Sequence, residues 1–517
     1  MSNPGLYKSS KFHSSQSDSF HISYSITDEM NGRIYRGHVR LESLRMKQDI
    51  LFATSILVPF NATPHDKVRL RENILDFVAQ RVKVLAAHEV GHTLGLAHNF
   101  AGSINTLNVN SGSVMDYPPP VIMVNDKGKL SLNPDCYMNR IGDFDKVAID
   151  YAYRRFNKTD FDSYSLRHDT EDLFGLSEID MDYQLAAERL SIGEKSFNYV
   201  YLNDQDLDKG DWRDSIWDMG APIVALNNSL RVRKIALYNL HTNVLGTKPS
   251  HTPWSSILTE SLPLVLLMHR YEVIAASKII GGSFLEYGLI DDQMKELSTQ
   301  PISFQYQKSA MQILLSAISV ETLAIPESLV AVLKPLAFGY ESNPIGGPGD
   351  TFHSRLLFDE FDRIAIIEAQ VQLVLENLLE RKRLERLITH CSQTLLGNEP
   401  CFTLSYLLES INAVIIPGDD HQLIEIGFLE RVVPLYMYFN ELLLLSKDEM
   451  LSVYPRAIIT RHVKELISIF KSKSEDISNN LTLYNSVAIK WLSVYDFLYS
   501  QNAPFMGRIK LPAGGPI

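Results

Sequence analysis

The stretch His88-Glu89-Val90-Gly91-His92-Thr93-Leu94-Gly95-Leu96-Ala97-His98 sets three imidazoles and a carboxylate at spacings that suit one shared cation. His88 and His92 are four apart, so on an α-helix they project from one face, one turn above the other. Two neutral ring nitrogens so placed can grip one Zn²⁺, with Glu89 in reach of a water that the ion would acidify. Gly95 lies three residues past His92, where a positive φ ends a helix and swings the chain so that His98 returns to the same ion. Three protein ligands leave a tetrahedral ion one open position, which is the pattern of a catalytic site rather than a structural one. A bare H-E-x-x-H is short enough to arise by chance. Gly95 and His98 at fixed offsets make the pattern specific.

A second motif, Ser113-Val114-Met115-Asp116-Tyr117 followed by Pro118-Pro119-Pro120, begins 15 residues after His98. It reads as a tight turn running into a stiff polyproline stretch. Together the two motifs resemble the metzincin signature of zinc endopeptidases, H-E-x-x-H-x-x-G-x-x-H with a methionine turn. That resemblance implies one catalytic Zn²⁺ on His88, His92 and His98, and Met115 as a hydrophobic floor beneath the histidines. It also implies that the Tyr117 hydroxyl binds zinc or the transition-state oxyanion. Glu89 would take a proton as hydroxide forms and later deliver it to the leaving amine.

Flanking segments look like large bacterial zinc-dependent metalloproteases with the EcxA-type zinc-binding (Met-zincin) domain. They are Gly32–Val39, Gly142–Ile149, Asp211–Gly220 and His269–Gly282, and the resemblance covers roughly residues 32 to 380. It implies a peptide or protein substrate. Two rival readings stand beside it. One is a catalytically inactive zinc-binding homologue acting as a helical interaction scaffold. The other is a gluzincin-like site in which a downstream glutamate replaces His98. Those relatives carry a long region before the equivalent of Gly32, so the expected architecture is a truncated catalytic domain.

The elements that must position these groups follow from periodicity. Alternation around Ile34, Val39 and Leu41 predicts one or two strands, which in metzincins border the cleft. Ser43–Leu57 and Asp66–Ala97 read as helices, the second carrying the ligands near its C-terminus. Val121–Leu132, with Asn125-Asp126-Lys127-Gly128 inside, reads as a hairpin. Asp143–Phe156 reads as the helix closing the catalytic domain, with Asp145 capping or anchoring it. Beyond, helical spacing is found over Ser215–Tyr238, Leu262–Ile280, Phe358–Cys391 and Ile424–Leu445. The expected fold is α+β and predominantly α-helical. Its parts are a poorly packed tail over 1–31, a metzincin-like catalytic domain over 32–160, a helical domain packed on it over 161–345, and a C-terminal helical module over 346–517. The Gly- and Pro-rich stretch 339–349 is the linker between the last two.

Composition sets the outer limits. The 517 residues and 45% apolar content can fill several cores. A net charge of −12 without a Lys/Arg cluster argues against a nucleic-acid partner. The greasiest runs, Leu262–Met268 and Val432–Leu445, are too short or too interrupted to span a bilayer. Met1–Phe20 is polar and serine-rich and does not read as a signal peptide, although the resemblance implies an exported protein. Cys136, Cys391 and Cys401 form no metal-spaced set, and free buried thiols are expected, with Cys391–Cys401 pairing only in an oxidising compartment. His38, His65 and His269 read as structural histidines, Trp212 and Trp217 as core or interface packing, and Arg381-Lys382-Arg383 as a solvated helix face.

Overall fold

The computed structural model describes residues 22–41, 43–57, 64–96, 113–115, 122–125, 128–132, 140–153, 222–245, 262, 264–285, 299–330, 363–394, 400–416, 427–479 and 486–500. Strands β1 (Ile22–Thr27) and β2 (Ile34–Arg40) pair antiparallel and lead into helices α1 (Ser43–Leu57) and α2 (Pro64–Thr93). Strands β3 (Ile122–Val124) and β4 (Leu130–Leu132) form a second antiparallel pair, followed by α3 (Asp143–Tyr153). Next come α4 (Pro222–Leu245), α5 (Arg270–Ser277) and a third antiparallel pair, β5 (Ser283–Leu285) with β6 (Thr299–Pro301). The remaining elements are helices: α6 (Phe304–Ser316), α7 (Val320–Leu323), α8 (Glu327–Val330), α9 (Arg363–Leu378), α10 (Arg381–Thr394), α11 (Leu404–Ile415), α12 (Phe428–Ser446), α13 (Val453–Asn479) and α14 (Ser486–Ser500). The described fold is therefore predominantly helical, with strands only in isolated pairs. Among the described residues no single helix is long and apolar enough to cross a membrane.

Helix α2 owes its orientation to one buried stripe, Ile74, Phe77, Val78, Arg81, Val84 and Leu85, at the i, i+3, i+4, i+7 spacing of a helix face. The stripe continues without a break into His88, so the face that packs the core also presents the first imidazole. Helix α1 supports it with Ala53 and Phe52 against Phe77 and Val78. Arg81 of α2 reaches Asp49 of α1 at 3.0 Å, both side chains buried. Pairing the charges offsets much of what their desolvation costs. The hairpin β1–β2 rests on the C-terminal end of α2, where Ser25 Oγ donates to the Thr93 carbonyl at 3.1 Å. Gly37 lies against the Thr93 side chain, where any larger residue would collide. Strand β1 lies inside the stretch whose composition reads as a poorly packed tail. Pairing with β2 orders it, with Tyr24 opposite His38 and their rings stacked.

The 122–132 hairpin forms as its turn residues require: Gly128 holds φ 72° and its N–H donates to the Asn125 carbonyl at 2.9 Å. Two long helical readings break in the structure. Leu262–Ile280 turns at Leu267–His269, where Arg233 Nε of α4 takes the Leu266 carbonyl at 3.2 Å and stops it serving the next turn. Phe358–Cys391 splits between α9 and α10, because Glu380 accepts the Arg383 N–H at 2.9 Å and starts a new helix. Buried leucines on both sides of the break, Leu378, Leu379, Leu384 and Leu387, keep the apolar period running through it.

One core cluster joins Ile56 of α1 and Leu130 of β4 to Val232, Ala236 and Leu240 of α4 and to Leu262, Leu266 and Ala369. A larger one fills the space between α5, α6 and α9–α14 around Phe402, Tyr438, Phe439, Phe470 and Trp491. The linker stretch 339–349, Cys136, Trp212 and Trp217 lie outside the described residues.

Candidate metal centre

Helix α2 ends in a Schellman motif. The Leu96 N–H donates to the Gly91 carbonyl and the Gly95 N–H to the His92 carbonyl, each at 3.0 Å, with Gly95 at φ 88°. His92 is thus in the last turn of the helix, and its Nδ1 lies 2.9 Å from the Leu96 carbonyl that the turn brings back beneath it. His88 is buried, and its Nδ1 is 2.7 Å from the Val114 carbonyl. A carbonyl oxygen can only accept, so both Nδ1 atoms carry the ring proton and donate it. In a neutral ring the other nitrogen, Nε2, then presents a lone pair. The Nε2 atoms of His88 and His92 stand 3.0 Å apart, with ring planes 88° to one another.

Two acceptor nitrogens at that distance repel one another unless a proton or a cation lies between them. Tetrahedral zinc, with bonds of about 2.0–2.1 Å, holds its nitrogen ligands about 3.3 Å apart. The observed separation and the proton-bearing Nδ1 atoms therefore fit zinc, with each imidazole steadied from its far side by a backbone carbonyl, as zinc-bound imidazoles are. Glu89 is buried beside the pair. Met115 is fully buried against Gly91, the residue just before His92, and a Cβ at position 91 would overlap its Sδ.

His98 and Tyr117 lie outside the described residues. Among the described residues no three His, Cys, Asp or Glu side chains form a set that would hold a metal. The structure brings together His88, His92, Glu89, Gly95 and Met115.

It also shows partners that the spacing of the motif leaves unmarked. Asp145, on the first turn of α3, is buried and accepts from Ser113 Oγ at 2.6 Å, Val114 N at 2.8 Å and Gly142 N at 2.9 Å. Burial pushes its pKa upward against the lowering pull of those three bonds. Tyr153, at the other end of α3, donates its hydroxyl to the Leu94 carbonyl at 2.7 Å, steadying the turn after His92. A carboxylate in a predicted first turn, 32 residues from the serine it binds, was the only legible sign of the Asp145 contact.

The other polar candidates are placed elsewhere. His38 and His65 are exposed. His269 is wholly buried in the helical region, where burial first and Arg233 second hold its pKa down to about 3. Two expectations are corrected. Arg383 does not face solvent: it is buried and donates to the carbonyls of Ser277 at the end of α5, Ile280 in the turn that follows it, and Asn377 in the last turn of α9. Cys391 and Cys401 are not free thiols but a disulfide, with Cα atoms 5.4 Å apart at the end of α10 and the start of the segment before α11.

A family model described as Met-zincin matches residues 72–422, from inside α2 to just beyond α11. No curated protein and no solved structure matches the chain. The matched stretch takes in most of α2 with His88 and His92, the methionine turn and the helices from α4 to α11, so the chain belongs to the Met-zincin family of zinc-metallopeptidase-like proteins.

Proposed function

We propose that this chain is a zinc-dependent endopeptidase. The observation that carries the reading is the pair of Nε2 lone pairs converging at 3.0 Å while both Nδ1 protons are held by backbone carbonyls. His88 and His92, with His98 as the third donor, are the residues that would hold the ion. When bound, zinc supplies Lewis acidity, acidifying water and polarising the scissile carbonyl.

The chain's own groups do the rest. Glu89 takes a proton from the attacking water onto its carboxylate as the oxygen adds to the peptide carbon. It then hands that proton to the amide nitrogen as the C–N bond breaks, so that the amine leaves neutral. The Tyr117 hydroxyl donates a hydrogen bond to the developing oxyanion. Gly91 and Met115 keep the ligand turn close-packed beneath these events, so that little reorganisation accompanies them.

Glu89→Gln separates the proton shuttle from the metal site. Zinc content measured by atomic absorption is expected to stay stoichiometric while hydrolysis of an unfolded protein substrate falls by about 10²–10⁴-fold. Full turnover in that variant would remove Glu89 from the mechanism. A zinc-replete parent chain that cleaves nothing would favour the inactive scaffold instead.

A further inference from the structure

We propose that Asp145 is a positioning residue for the metal centre, acting on His88 through Ser113 and the Val114–Met115 peptide. The inference rests on the reading of His88 as a zinc ligand.

The four groups form one chain of hydrogen bonds, all running the same way. His88 Nδ1 donates to the Val114 carbonyl at 2.7 Å. The N–H of that same peptide unit, on Met115, donates to Ser113 Oγ at 3.0 Å. Ser113 Oγ in turn donates to Asp145 Oδ1 at 2.6 Å. The carbonyl and the N–H of one amide are conjugated. A carboxylate that draws on the N–H through a hydroxyl therefore leaves the carbonyl oxygen richer in electrons and a better acceptor. The imidazole that donates to it becomes a more basic ligand at Nε2, which is how outer partners tune a metal site.

The second carboxylate oxygen does a different task. Asp145 Oδ2 accepts from Val114 N and from Gly142 N, at 2.8 and 2.9 Å, and so pins the methionine turn to the first turn of α3. The bond back to Gly142 is the reciprocal half of a capping box, made by a residue in the third position of its helix. The helix N-terminus favours the negative charge there. His88, Ser113 and Asp145 are each buried, so water does not compete for any link of the relay.

Asp145→Asn tests the charge while sparing the pin. Its carbonyl can keep both backbone N–H bonds, but its amide must donate to Ser113 Oγ, which reverses the relay at that link. Zn²⁺ titration of the full chain against a competing chelator is expected to show a 10- to 100-fold loss of affinity. The melting midpoint of the metal-free chain is expected to stay where it was. Ser113→Ala breaks the relay and leaves the Oδ2 pin intact, so it covers the case in which Asp145→Asn does not fold. It is expected to weaken zinc binding in the same range.

Because both residues belong to one relay, the double variant is expected to bind zinc about as well as the weaker single variant. Losses that simply multiply would mark two independent packing defects and overturn the relay, as would parent-like affinity in both single variants. A parent chain that takes up no stoichiometric zinc would instead overturn the metal-centre reading beneath it.

Discussion

Gly91 lies between the two imidazoles in the sequence, and its lack of a side chain is what lets Met115 lie against α2 beneath them. His88 depends on this fit, since the turn that carries Met115 also carries the Val114 carbonyl on which its ring is hung. Gly91→Ala places a methyl group where Met115 Sδ now sits, in a site with no exposed surface into which the methionine can move. Overpacking of this kind costs about 1–3 kcal/mol. Urea unfolding of the metal-free chain is expected to show a loss of that size, together with weaker zinc binding as the Val114 carbonyl shifts. A Gly91→Ala variant as stable as the parent would mean that the methionine gives way freely and is no rigid floor.

At the scale of elements, α2 is held by α1 on one side and stopped by its Schellman turn at the other end. The buried ion pair Arg81–Asp49 lies two turns before His88 and fixes how the two helices meet. Removing one partner leaves the other charged and buried, which costs about 3–5 kcal/mol. Asp49→Ala is therefore expected to lose several kcal/mol by denaturant titration. Replacing both residues with apolar side chains of similar volume is expected to lose much less. If the single variant were as stable as the parent, Arg81 would have found another route to solvent.

The bounds of α1 are legible residue for residue, because its apolar stripe and its ends coincide. Those of the 358–391 stretch are not. A side-chain cap at Glu380 breaks the helix while leucines on either side preserve the period.

For the whole molecule, the node around His269 ties the helical region together. Arg233 of α4 donates to the Leu266 carbonyl and to Gln370 of α9, and its charge faces His269 at the start of α5. Glu272, one turn along α5, is buried as well. Among the described residues neither ring nitrogen of His269 has a hydrogen-bond partner. Its pKa in the fold, about 3, is depressed from 6.5. The neutral ring therefore contributes full stability above the unfolded value, and that stability is lost as pH falls from 6.5 toward 3. The loss is on the order of a few kcal/mol. His269→Leu gives up no hydrogen bond, so unfolding midpoints at pH 7 and pH 4.5 are expected to lie closer together than in the parent. An unchanged gap between them would place the acid sensitivity in other groups.

The imidazoles and carboxylate of the candidate site, their spacing and the glycine that ends the helix were decided by the sequence alone. All three are short-range properties: residues four apart share a helix face, and a glycine three positions on can take a positive φ without strain. The methionine turn was legible for the same reason, as a local run ending in prolines. Other features belong to the tertiary structure: the tautomers of His88 and His92, the fit of Met115 on Gly91, the disulfide between Cys391 and Cys401, and the burial of Arg383. So does the path from Asp145 to His88, whose two long-range links join residues 26 and 32 positions apart along the chain. Nothing in local periodicity encodes contacts over such separations. They exist only once the core has packed α1, α2 and the methionine turn together and α3 has bonded to that turn and to the end of α2, and packing rather than pattern decides which carbonyl meets which ring.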